Sequence, residues 1–184
     1  MSDITPQKIK FIYLTQGKRT LIDKEDFELV NKYKWFYRKS GRTKGKNGYA
    51  QHSQYIKGSF KKGLSWGKYT SIFMHNLILP PKNGLVIDHI NNNGLDNRRL
   101  NLRLVTVSQN MANFPKKQKT KSKYRGVSFL KRRIGFTGKQ WEAGTTLNGK
   151  GAYIGVYVTE KEAAAAYNNF AKEHFGKCAQ LNKI

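Results

Sequence analysis

Val86-Ile87-Asp88-His89-Ile90-Asn91-Asn92-Asn93-Gly94-Leu95-Asp96-Asn97-Arg98-Arg99-Leu100-Asn101-Leu102-Arg103 sets an acid beside a histidine at the end of an apolar, β-type run. A polar, glycine-bearing loop follows, and an asparagine then opens a helical pattern. Adjacent strand residues point to opposite faces, so Asp88 and His89 serve one site only where the strand ends or bends. A strand, loop, helix unit allows that. Leu102, Val105, Met111 and Phe114 recur on one face of a helix predicted from about Asn101 to Phe114, where Pro115 ends it.

Hydrolysis of a phosphodiester needs a base for water, a cation for the charge on phosphorus, and a proton path to the leaving oxygen. In this stretch His89 is the candidate base. A hard cation such as Mg²⁺ takes oxygen ligands and keeps several waters, so Asp88 and Asn110 suffice as its metal-ligating residues. The plainer alternatives are a loop-capping Asp88, a buried structural His89 and an Asn101 that only caps a helix. For His75, on a predicted strand, a core position and a phosphate contact stand equal.

Upstream, Lys8 to Leu14 and Arg19 to Ile22 read as a hairpin, and Asp23 as the N-cap of a short helix ending near Tyr33. Lys34 to Arg38 and Tyr49 to Ile56 read as strands, and Tyr69 to Leu79 as a buried apolar segment stopped by Pro80-Pro81. Downstream, Lys116 to Lys123 carries five lysines and no acid, a linker pattern. Strands follow at Tyr124 to Phe129, Gln140 to Leu147 and Gly151 to Val158. The last element is a helix with Thr159 and Glu162 as a capping box and Gly176 just past its end.

A net charge of +24, from 35 Lys+Arg against 11 Asp+Glu over 184 residues, points to nucleic acid as the partner. A membrane surface is disfavoured, since there is no long basic amphipathic helix and no apolar run of spanning length. One cysteine, Cys178, excludes a disulfide framework and a cysteine zinc knuckle. With no signal-peptide pattern, the expected location is the cytoplasm of a bacterial host, with a phage gene as source. Arg98, Arg99 and Arg103, with Lys116 and Lys117 in the linker, form a basic frame expected to meet DNA phosphates.

Two resemblances sharpen this. Asp88-His89-Ile90-Asn91, Asp96-Asn97-Arg98-Arg99, Asn101-Leu102-Arg103, Val105-Thr106 and Ser108-Gln109-Asn110 resemble the ββα-metal core of HNH endonucleases, in the branch of phage and mobile-intron nicking homing enzymes. Met74-His75-Asn76-Leu77-Ile78-Leu79 resembles the segment preceding that motif, with Asn76 where the branch usually has arginine. The resemblance implies His89 as general base, Asn101 as the residue holding the His89 ring, and Asp88 with Asn110 as ligands of one Mg²⁺ or Mn²⁺. Tyr124-Arg125-Gly126-Val127, Trp141, Tyr153-Ile154-Gly155-Val156-Tyr157 and Glu162 to Tyr167 are similar to the DNA-binding domain of plant ethylene-response factors. That likeness implies DNA contacts from Arg125, Lys131, Arg132, Arg133, Lys139, Trp141, Lys150 and Tyr153. Ser128, Thr145 and Thr146 stand where the plant domain carries arginines, so the plant target is not implied.

The expected fold is α+β: a β-rich support over 1–68, an HNH core over 69–114, a basic linker over 115–122, and a three-stranded sheet packed on one helix over 123–184. The expected function is a metal-dependent endonuclease nicking double-stranded DNA as a monomer, with no small-molecule cofactor. A DNA-binding regulator with an inert nuclease core, or a basic RNA-binding protein, are the competing classes.

Overall fold

A computed structural model describes residues 9–40, 48–56, 68–114, 121–130 and 140–184. The chain divides into two compact units, Met1–Leu104 and Val105–Ile184. The division falls inside the 69–114 stretch that the sequence suggests as one core.

In the first unit, β1 (Ile9–Tyr13) and β2 (Arg19–Asp23) form the predicted antiparallel hairpin, with Ile9 opposite Asp23 and Tyr13 opposite Arg19. A 3-10 turn over Lys24–Asp26 leads into α1 (Phe27–Val30), which ends short of the expected Tyr33. Asp23 does not cap this segment through its side chain. Its Oδ2 accepts instead from the Arg99 backbone N–H at 2.8 Å. β3 (Phe36–Lys39), β4 (Gly48–Ile56) and β5 (Lys68–Phe73) make an antiparallel sheet with β4 in the middle. The apolar run from Tyr69 to Leu79 is not one strand: it turns at Phe73 into α2 (Met74–Ile78). Met74 and Ile78, four apart, drop together into the core, a spacing that an unbroken apolar run does not reveal in advance.

β6 (Leu85–His89) pairs with β7 (Leu102–Thr106) in a two-stranded sheet. The helix predicted from Asn101 to Phe114 is therefore corrected to a 3-10 turn over Arg99–Asn101, a strand, and a short helix, α3 (Val107–Asn113). Thr106 starts α3 with a full capping box: its Oγ1 accepts from Gln109 N at 3.2 Å, and Gln109 Oε1 accepts from Thr106 N at 3.0 Å. Leu14, Ile22, Val30, Trp35, Met74, Ile78 and Leu102 form the first core. Ile22, Val30 and Met74 are fully enclosed, each contributing roughly 1.5–3 kcal/mol by burial.

The second unit contains α3, β8 (Val127–Phe129), β9 (Trp141–Leu147), β10 (Lys150–Tyr157) and α4 (Glu160–Phe175). The three strands are antiparallel with β9 central, and Ala163 and Ala164 of α4 pack on Val127 and Ala143 of the sheet. Ala112 of α3 joins Tyr167, Ala171 and Phe175 in a second cluster. Thr159 and Glu162 form the predicted capping box, and Gly176 ends the helix at φ +54°. At Gly126, φ is +68° and a Cβ would lie 2.0 Å from the Tyr167 ring, so glycine is required on both counts. Among the described residues no helix is long and apolar enough to cross a membrane.

Candidate active site

β6 delivers Asp88 and His89, 4 % and 7 % exposed, to the mouth of the Ile90–Asn97 loop. That loop is held by its own amides. Asn91 Oδ1 accepts from Asn93 N at 2.9 Å, and Asn93 Oδ1 from Leu95 N at 3.1 Å. Asn101 Oδ1 accepts from Asn91 N at 3.0 Å while its Nδ2 donates to the Asp96 carbonyl at 2.8 Å. Asn101 thus clamps the loop. It is not the partner of the His89 ring that the family resemblance implies.

That partner is Asn97, whose Oδ1 lies 3.1 Å from His89 Nε2. Its position follows from the backbone. Leu95 to Asn97 runs beside β2, with Leu21 N–H donating to Leu95 O and Asn97 N–H to Leu21 O, both at 2.8 Å, and a parallel bridge between Leu21 and Asp96. The Asn97 side chain is fully buried there, as is that of Asp96 beside it. The sequence places five asparagines near His89 and does not say which reaches it; the pairing of the loop with β2 decides.

Aromatic rings close the other sides. The Tyr49 ring centroid is 5.9 Å from that of His89 and 5.5 Å from that of His75. His75, on α2 rather than a strand, stands edge-on to His89 at 5.0 Å and stacks on Phe73 at 5.5 Å. Its Nδ1 is buried without a hydrogen-bond partner. Burial, and then the neighbouring His89, push the His75 pKa down to about 3. Burial likewise lowers His89, opposed by the Asn97 hydrogen bond and by the charges of Asp88 and Asp96. Gly94 admits the Tyr49 ring: a Cβ there would lie 2.5 Å from both Gly48 O and Tyr49 Cδ1.

The three arginines of the central stretch are each paired with carboxylates of the first unit. Arg103 meets Asp88 Oδ2 through Nε at 2.8 Å and a second guanidinium nitrogen at 2.7 Å. Arg98 grips both oxygens of Asp96 at 2.7 and 2.6 Å. Arg99 grips both oxygens of Asp26 at 3.0 and 2.6 Å, with Glu25 at 3.4 Å. Buried carboxylates need counter-charges, and these guanidinium groups supply them. Asp23, Glu25 and Asp26 bring carboxylate oxygens within 4.8 Å of one another, and Arg99 is already the cation of that cluster.

In the second unit, Arg125 is also turned inward. Its Nε donates to the Tyr167 hydroxyl at 2.9 Å, and its terminal nitrogens to the carbonyls of Phe114 and, at 3.1 Å, Met111. It closes the C-terminal end of α3. Trp141 packs edge-to-face on Phe129 at 5.0 Å, whereas Lys150 and Tyr153 are exposed on β10. Asn110 lies on α3. Lys116, Lys117, Lys131, Arg132, Arg133 and Lys139 lie outside the described residues.

The site is thus a buried imidazole beside a carboxylate, with its Nε2 against an amide oxygen. A family model described as HNH endonuclease matches residues 79–112, from just past α2 through most of α3. An uncharacterized HNH endonuclease of Acanthamoeba polyphaga mimivirus is 32 % identical over 180 residues, covering 96 % of this chain and 82 % of that protein. The chain belongs to the HNH endonuclease family. No solved structure matches it.

Proposed function

We propose that the chain is a metal-dependent endonuclease that nicks one strand of double-stranded DNA, at a site chosen largely by the sheet of its second unit. The observation that carries this is His89, buried at the end of β6 beside Asp88 and held at Nε2 by Asn97. An amide oxygen only accepts, so Nε2 bears the proton and the neutral ring carries its lone pair at Nδ1. Burial keeps His89 neutral at physiological pH, ready to take a proton from water as that water attacks phosphorus and the bond to the leaving oxygen breaks.

The Asp88 carboxylate is a hard oxygen donor of the kind Mg²⁺ or Mn²⁺ takes. A small cation keeping most of its waters fits that donor chemistry. When bound, the cation supplies positive charge against the charge gathering on the phosphate and leaving oxygen. One such site per chain cuts one strand, as a monomer.

For the second unit we favour a DNA-binding domain of the ethylene-response-factor type. What supports it is a three-stranded antiparallel sheet covered by one helix, with Lys150 and Tyr153 exposed on a strand.

The test is a supercoiled plasmid carrying the DNA that flanks this chain's own gene, incubated with Mg²⁺ or Mn²⁺ and, separately, with EDTA. Metal-dependent conversion to open circles is expected, with His89→Gln and Asp88→Asn slower by about 10²-fold or more at unchanged duplex binding. A wild-type chain that leaves the plasmid intact with either metal refutes the nuclease reading.

A further inference from the structure

We infer that the Thr20 hydroxyl, on β2, is a positioning residue for the reaction: acting through Asn97, it sets which nitrogen of His89 carries the proton. The inference rests on the reading of His89 as base but can be tested without cleavage. It starts from three contacts in series. Thr20 Oγ1 lies 2.7 Å from the Leu95 carbonyl oxygen, Asn97 Nδ2 lies 2.7 Å from Thr20 Oγ1, and Asn97 Oδ1 lies 3.1 Å from His89 Nε2. Thr20 and Asn97 are fully buried, so no bulk water substitutes for any of these partners.

The polarity of the chain is fixed at its carbonyl end. Two oxygens 2.7 Å apart require a proton between them, and a carbonyl has none to give. The hydroxyl proton of Thr20 therefore points at Leu95 O. Its oxygen can then only accept from Asn97, so the amide presents its NH₂ to Thr20 and its oxygen to His89. An acceptor facing Nε2 demands Nε2–H, and the lone pair falls at Nδ1. Turning the Asn97 amide over would set an NH₂ against an N–H or force the proton to Nδ1, and would leave two oxygens in contact at Thr20. Each such mismatch leaves a buried donor or acceptor unsatisfied.

Backbone pairing sets the spacing that makes the series possible. Leu95 O also accepts from Leu21 N–H at 2.8 Å, using its second lone pair, so the strand that carries Thr20 and the loop that carries Asn97 are locked side by side. A second hydroxyl residue supplies the same group, whereas valine matches threonine in shape and offers neither donor nor acceptor. Thr20 touches neither the imidazole nor the water; it acts by holding the amide that does the touching.

The experiment is ¹⁵N NMR of histidine-labelled full-length chain in EDTA at pH 7.5, with His89 signals assigned by their loss in His89→Gln. The wild type is expected to show a protonated, pyrrole-like Nε2 and a pyridine-like Nδ1. Thr20→Val is expected to lose that single tautomer and Thr20→Ser to keep it. In nicking assays Thr20→Val is expected to lower kcat by about 10²-fold with KM for DNA unchanged, and Thr20→Ser to stay within about twofold. A wild-type His89 protonated at Nδ1 overturns the inference, whatever the variants do. So does a Thr20→Val chain that keeps the wild-type tautomer, or a folded Thr20→Ser chain that loses it. If Thr20→Val fails to fold, the wild-type tautomer and Thr20→Ser decide. A wild-type chain with the expected tautomer and no nicking refutes the nuclease reading while supporting the positioning role.

Discussion

Lowering the pH from 7 to 5 should destabilise the first unit, and His75 should account for much of the loss. Burial beside His89 brings the His75 pKa to about 3 in the folded chain, against 6.5 for a free imidazole. At pH 5 the unfolded state therefore binds a proton that the folded state refuses. The sign follows: stability present above 6.5 is lost as pH falls below it, down to about 3, where the folded ring protonates as well. Since pH 5 lies about 1.5 below 6.5, at about 1.4 kcal/mol per unit the loss is about 2 kcal/mol by pH 5. His89, lowered for the same first reason, adds in the same direction. The clean comparison is wild type against His75→Phe, which keeps a ring between Phe73, Tyr49 and His89 and removes the titrating group. Urea unfolding in EDTA would be followed by the fluorescence of Trp35, in the first core, in a background with Trp66 and Trp141 replaced by Phe. The wild type should lose about 2 kcal/mol more than His75→Phe between pH 7 and pH 5. Equal losses would refute the reasoning, because carboxylate titration is common to both chains.

Other substitutions test other joints of the structure. Arg103→Met removes a guanidinium paired with the buried Asp88 carboxylate and should cost the first unit about 3 kcal/mol, read from urea midpoints; a cost under about 1 kcal/mol would mean the ion pair is solvent-screened. Gly126→Ala places a methyl 2.0 Å from the Tyr167 ring at positive φ and should melt the second unit by several degrees or more, while circular dichroism unchanged through the transition would count against it. Gly94→Ala pushes on Gly48 O and the Tyr49 ring, so nicking should fall with little change in DNA affinity; a fully active variant would show that the Tyr49 wall is dispensable.

Much of the framework was legible in local pattern. The hairpin of β1 and β2, strand β6 and capped α4 follow from alternation and from the Thr159–Glu162 pair, which act over a few residues. The turn from β5 into α2 at Phe73 was not, because a continuous apolar run suits either a strand or a buried helix. Nor was strand β7: Leu102 and Val105 are three apart, a helical spacing, yet both are buried from a strand. At the site, Asp88 and His89 were evident from their adjacency at a strand end. The assignment of Asn101 to the histidine failed because the choice among neighbouring amides is made by a distant element, β2, that no local window contains. The ion pairs of these arginines were not legible for a related reason: their buried partners Asp26, Asp88 and Asp96 are met only through tertiary contacts.

The tie between Asn97 and Thr20, which spans 77 residues, sets the smallest piece that can work. A fragment cut to residues 79–112 keeps the whole stretch matched by the family model and discards the strand that holds the amide against His89. Grafted into another scaffold, such a fragment would bring the acid and the histidine but not the orientation of the ring. If His89 is the base proposed above, a minimal nuclease built from this chain has to begin upstream of Arg19, because the hairpin strand that carries Thr20 belongs to the site.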